Sequence, residues 1–268
     1  MYKGIHIIET VEREKSGSKV SRFRRVDKDH YIDKDTGEMH QYKNDGKRRS
    51  DNQQGLIKSF NTLRRLINCN FGGWNSELHI VLTYGELMGD YHQARRDFKN
   101  FWARLKRKYP MCEYISVCEP QESGSWHIHV LVKRNDRQFL HIPNEEVTAL
   151  WKNGQTYTDR LPFADNFGAY FTAICYSPKD AVGELMPGKK YSRLKYYPDS
   201  YRVYSCSKGI TRIITYVTTM DKVREMVDGC PVVVQTIEEI VNPVNNEHVN
   251  TIVYTQYNKR LKNKSVAE

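Results

Sequence analysis

One stretch constrains this chain more than any other. Tyr114-Ile115-Ser116-Val117-Cys118 leads through Glu119 and Pro120 into the polar segment Gln121 to Ser125, and Trp126-His127-Ile128-His129-Val130-Leu131-Val132-Lys133 follows. Two runs of strand formers around a short polar segment containing Gly124 read as a β-hairpin. Alternate side chains of a strand share a face, so His127 and His129 point one way and Ile128 the other. The partner strand brings Glu119 alongside the two histidines. Two imidazoles and a carboxylate on one sheet face make a three-ligand site for a divalent cation, with positions left open for a substrate oxygen. The structural alternative is a packed or solvated His-x-His pair.

Composition narrows the partner. The 268 residues carry a formal net charge of +10, which points to a polyanion, with nucleic acid first and an anionic membrane surface second. No window approaches a transmembrane span, and the first eight residues lack the apolar core of a signal peptide. The six cysteines are scattered without a Cys-x-x-Cys, the pattern of reduced thiols in a cytoplasmic protein.

Periodicity supplies the other elements. Leu56, Ile57, Phe60, Leu63, Leu66 and Ile67 follow helical spacing. Leu78 to Thr83 reads as a strand. Asp90 is placed to cap a helix whose apolar stripe is Ala94, Phe98, Phe101, Trp102, Leu105 and Tyr109, ended by Pro110. Its other face is basic. A short helix from Pro143 through Trp151 stops at Asn153-Gly154, and Asp165 or Asn166 caps the next one, lined by Phe167, Tyr170, Phe171 and Ile174. Ser192 to Tyr197 and Tyr201 to Ser205 read as a hairpin that interleaves cations and rings. Its residues Arg193, Lys195, Tyr196, Tyr197 and Arg202 suit single-stranded DNA, because bases stack on rings while cations meet phosphates. Tyrosines that merely pack across strands are the alternative. Residues 213–227 are expected to form a helix, and Val232 to Ile237 and Val249 to Tyr257 two strands. A turn at Lys34 to Glu38 marks a hairpin in the polar N-terminal part.

Taken together, these residues resemble the HUH endonucleases, named for His-hydrophobic-His, and most of all the rolling-circle replication initiators of bacterial plasmids and filamentous phages. The Glu-Pro-Gln segment running into Trp-His-x-His carries the likeness. Leu78-His79-Ile80-Val81-Leu82-Thr83-Tyr84 is similar to the family's first motif, and Asn166-Phe167-Gly168-Ala169-Tyr170-Phe171-Thr172 to its third. The resemblance covers roughly residues 76–212. It divides the chain into an N-terminal basic extension and helix (1–75), an endonuclease domain (76–212) and a C-terminal appendage (213–268).

The resemblance implies an α+β fold: an antiparallel five-stranded sheet with packed helices. It implies an enzyme that nicks and rejoins single-stranded DNA through a 5′-phosphotyrosine to start rolling-circle replication. Glu119, His127 and His129 would hold Mg²⁺ or Mn²⁺, and Tyr170 would be the nucleophile, with Tyr176 as the alternative because Lys179 completes a literal Tyr-x-x-Lys. Ala173 and Ile174 stand where many members have the lysine or a second tyrosine. Partners would be single-stranded or cruciform origin DNA, with host helicase and polymerase acting in trans, and no membrane. Gly183 to Lys190 nearly spells a P-loop, but Lys190 replaces the metal-binding hydroxyl and Pro187 interrupts the loop, so the chain carries no helicase motor of its own. A mobilisation relaxase, a transposase and a non-catalytic DNA-binding regulator are the rival readings, together with a metal-dependent hydrolase unrelated to DNA.

Overall fold

The computed structural model describes residues 1–15, 23–34, 36–42, 53–161, 168, 176–179, 185–187, 197–198, 201–241 and 246–261. Strands β1 (Tyr2–Lys3) and β2 (Ile7–Arg13) precede a small sheet of β3 (Phe23–Arg25), β4 (His30–Asp33) and β5 (Met39–Gln41). Helix α1 (Gln53–Asn70), strand β6 (Glu77–Thr83) and helix α2 (Tyr91–Lys108) lead to the hairpin of β7 (Cys112–Pro120) and β8 (Trp126–Arg134). Helix α3 (Asn144–Trp151) and strand β9 (Thr156–Arg160) follow. Then come the short strands β10 (Tyr176–Lys179), β11 (Leu185–Pro187) and β12 (Tyr204–Cys206). Helix α4 (Met220–Val227) and the long pair β13 (Val232–Val241) and β14 (His248–Asn258) complete the chain.

The fold is α+β, and its centre is an antiparallel five-stranded sheet of order β12-β7-β8-β6-β9. In β7 and β8 the register sets Glu119 opposite His127 and Val117 opposite His129. On the other side of β8, Thr83 of β6 lies opposite His127. The expected hairpin and first strand are therefore neighbours in the order the alternation requires. Strand β9 was not expected: Thr-Tyr-Thr-Asp-Arg has no apolar run, and it forms because one edge of β6 is open to it.

Each face of this sheet carries its own core. Ile128, Val130 and Val132 join Leu78, Ile80 and Leu82 beneath Phe98, Phe101 and Leu105 of α2 and Val147 and Trp151 of α3. Ile115, Val117 and Leu131 lie on the opposite face, beneath Leu63, Leu66 and Ile67 of α1. Asp90 caps α2 as anticipated, its side chain accepting from the backbone N–H of His92 (2.7 Å) and Gln93 (3.1 Å).

The two ends of the chain meet. β2 pairs with β14 in the sheet β1-β2-β14-β13, and Val223 and Val227 of α4 pack on Ile8. Glu9 accepts from Arg64 (3.2 Å) and Arg65 (2.8 Å) of α1, joining this sheet to the main body. The two anticipated C-terminal strands form and run longer than expected. The helix expected over 213–227 begins only at Met220. Ile213, Ile214, Thr215, Val217, Thr218 and Thr219 are β-branched, which disfavours helix. This segment runs instead along the N-terminus: Thr215 bridges Tyr2, and the Tyr216 N–H donates to the Met1 carbonyl at 2.9 Å.

Because α1 closes one of the two cores, truncation there should be as harmful as truncation in the sheet. Leu63→Ala and Leu131→Ala, at positions 1% and 0% exposed, should each cost about 2–5 kcal/mol in urea denaturation. A Leu63→Ala cost near zero would make α1 an appendage.

Candidate metal centre

The hairpin holds its histidines from both ends. Gly124 adopts φ +84° in the turn, a conformation that favours glycine, and the Gln121 N–H donates to the Ser125 carbonyl at 2.7 Å. Trp126 is fixed by its backbone N–H to the Met88 carbonyl (2.8 Å) and its indole N–H to the Gly89 carbonyl (3.0 Å). His127 and His129 thus begin a strand that is already anchored.

Glu119, His127 and His129 converge, each offering a donor atom within 4.8 Å of the others. The two Nε2 atoms are 2.8 Å apart, and Glu119 Oε2 lies 3.8 Å from His127 Nε2 and 3.5 Å from His129 Nε2. A cation about 2.1 Å from each donor requires donors about 3–3.4 Å apart, so the set fits such an ion with small adjustments. Glu119 and His127 are buried, 5% and 7% exposed. A buried carboxylate needs a compensating positive charge, and an ion at this point supplies it. Nitrogen donors favour a transition metal over Mg²⁺.

Behind the triad stands a residue that sequence reasoning passed over. His79 of β6 shares the odd-numbered face with Thr83, and its Nε2 lies 3.1 Å from Nδ1 of His129, the rings stacked at 5.3 Å. Burial, reinforced by His129, pulls His79 down to about 4, with Asp159 acting the other way. The period-2 pattern running back from Thr83 could have flagged it. Asp159 could not be found that way, because it lies opposite His79 on the unexpected β9.

The other anticipated residues fare differently. Tyr170 lies outside the described residues, as do Arg193, Lys195 and Tyr196. Gly168, two positions before Tyr170, is helical and buried, its N–H donating to Asn68 Oδ1 of α1 at 2.9 Å. A Cβ there would press on the Arg64 carbonyl and lie 2.6 Å from Asn68 Oδ1, so only glycine fits. Tyr176 is not at a helix end but in β10, opposite Pro187 of β11. Tyr197 is a correction too. It is 7% exposed, with its ring against Trp126 (5.2 Å) and Tyr201 (4.0 Å), so it serves the core rather than a stacking platform. Arg202 is exposed, beside β12.

Residues 77–180 match the family of replication-associated proteins described by its ORF2 and gene-2-protein members, a family of rolling-circle replication initiators. The matched segment contains the whole triad and His79. No curated protein and no solved structure matches the chain. No helix among the described residues is long and apolar enough to cross a membrane.

The buried imidazole of His79 makes a pH prediction. Between pH 6.5 and about 4 the unfolded chain takes up a proton at this residue that the folded chain refuses. Stability is therefore lost as pH falls through that window. His79→Gln should lose less stability than the wild type between neutral and acid pH in urea denaturation. An identical loss in both proteins would remove His79 from the acid response.

Proposed function

We propose that this replication-associated protein nicks and rejoins single-stranded DNA at an origin, through a covalent tyrosine–DNA intermediate, and so initiates rolling-circle replication. The observation that carries the reading is the convergence of Glu119, His127 and His129 on one sheet face inside the family-matched segment. A divalent cation, Mn²⁺ or Mg²⁺, would offset charge growing on the scissile phosphate oxygens. Glu119 and the two imidazoles hold it and keep that face clear of competing cationic side chains.

Tyr170 is the proposed nucleophile. Its phenol, with an ordinary pKa near 10, must give up its proton as the oxygen attacks phosphorus. The 3′-oxygen of the broken strand leaves, and the 5′-phosphate stays on the tyrosine. The new ester keeps the energy of the old one, so a 3′-hydroxyl reseals it without ATP. Two things support Tyr170: the third-motif likeness, and the docking of Gly168 on α1, which lies on the same sheet face as the triad. Against Tyr176 stands its place in a strand. Origin DNA is the proposed partner, with host helicase and polymerase acting in trans.

Glu119→Ala, His127→Ala or His129→Ala should each lower Mn²⁺-dependent nicking of an origin strand by about a hundredfold, the equivalent of about 3 kcal/mol. Undiminished nicking in EDTA would overturn the metal assignment. Tyr170→Phe should give no covalent protein–DNA band on a denaturing gel, whereas Tyr176→Phe should still give one. A non-catalytic DNA-binding regulator would form no band at all.

Gly168→Ala tests the docking. It should depress adduct formation strongly while Mn²⁺ affinity, measured by calorimetry, stays at the wild-type value. A variant as active as the wild type would show that contact with α1 does not place the nucleophile.

A further inference from the structure

The sheet face opposite the triad carries a groove that the nicking chemistry does not use. It lies between α2 and the β7–β12 edge, with a volume of about 420 Å³. Its floor is made of small side chains: Ser116 of β7 and Ser205 of β12, whose hydroxyls bond at 2.7 Å, together with Cys118. Register places Ser116 opposite Val130, on the face away from His127 and His129. One wall holds Trp102 and Tyr114, both partly exposed, with ring centroids 4.4 Å apart. The opening also carries Arg95, Lys99 and Arg202.

A second cavity, of about 690 Å³, continues from the first. It shares Arg95, Tyr114, Arg202, Tyr204 and Ser205, then passes the β12 edge to Arg212 and to Ser59 of α1. The channel therefore runs round the edge of the sheet from its reverse face toward the face that bears the triad.

Charge along this path is left uncompensated. Arg95 donates to the Tyr91 hydroxyl and Arg212 to the Cys206 sulfur, both neutral. Among the described residues, Arg95, Lys99, Arg202 and Arg212 have no carboxylate partner. Further along α2 the pattern is the opposite: Lys106 pairs with Glu113 at 2.7 Å and Lys108 with Glu146 at 2.8 Å. Four unpaired cations along a channel floored by small side chains and walled by two rings require an extended anion that also has flat apolar surfaces.

We propose that this channel is a second nucleic-acid site, in which a single DNA strand passes round the β12 edge with a base against Trp102 and Tyr114 and its phosphates on Arg95, Lys99, Arg202 and Arg212. Stacking on rings and sequence-blind phosphate contacts are the ordinary means of holding a single strand. A polymer suits the channel better than a free nucleotide does, because the cations are spread along a path that spans two faces. The proposal rests on the reading above only in taking DNA as the ligand.

Tryptophan fluorescence of the full-length protein, titrated with an oligothymidylate in EDTA, tests it. Trp126 and Trp151 are fully buried, so Trp102 should dominate any quench. Wild-type protein should be quenched, Trp102→Phe should lose most of the quench, and Lys99→Glu should weaken binding by about tenfold. Glu119→Ala should keep the quench while losing nicking, which separates this site from the triad. A quench that survives Trp102→Phe, or an affinity indifferent to Lys99→Glu, would overturn the proposal even if nicking is intact. Thymidine monophosphate binding as tightly as the oligonucleotide would replace the strand with a free nucleotide and overturn it as well. A protein that shows the quench but never nicks would keep the channel and lose the nickase.

Discussion

The structure depends on the two-sidedness of β8. Its even positions, Ile128, Val130 and Val132, are among the least exposed residues of the molecule and weld the strand to α2 and α3. Its odd positions begin with His127 and His129 and end with Leu131 and Lys133 on the face that α1 partly covers. A slip of one residue would drive both imidazoles into the apolar core and turn the valines outward. The register that holds the donor set is thus enforced by hydrophobic burial on the reverse face, not by attraction among the donors themselves.

The same logic explains what was legible in the sequence. The hairpin and α2 declared themselves because each has a strong period and clear ends, Gly124 in one and Asp90 and Pro110 in the other. Their union in one sheet also followed, since strand neighbours in the chain are usually neighbours in space. β9 was hidden because an edge strand beside a finished core needs no apolar run of its own. The pairing of β2 with β14 was hidden because it joins segments more than two hundred residues apart, and no local pattern records such a partner. Residues 213–219 were misread for a related reason. Their apolar content suited a helix, but their β-branching and the open N-terminal edge favoured an extended path.

The aromatic residues teach the same lesson about function. Tyr197 and Tyr201 looked like a DNA platform by composition, yet both are buried around Trp126. The rings that stay accessible, Trp102 and Tyr114, belong to a helix stripe and a strand that read as core. Composition locates aromatic and basic residues, but it does not say which face they reach. The decisive quantity is the size of the neighbouring side chains: Ser116, Cys118 and Ser205 are too small to cover those rings.

The chain of imidazoles adds a further constraint on the centre. His129 presents Nδ1 to His79 and Nε2 to His127 and Glu119. Without a cation, the Nε2 pair at 2.8 Å needs one shared proton. With a cation, both Nε2 atoms must offer lone pairs, so the proton of His129 belongs on Nδ1, directed at Nε2 of His79. That arrangement requires His79 to be neutral, and its burial keeps it so. Loading the site therefore expels a proton from between the two ligating imidazoles, and affinity must rise with pH. The second histidine of β6 thus fixes which nitrogen of His129 is free to bind, a role that the His-x-His spacing alone cannot express.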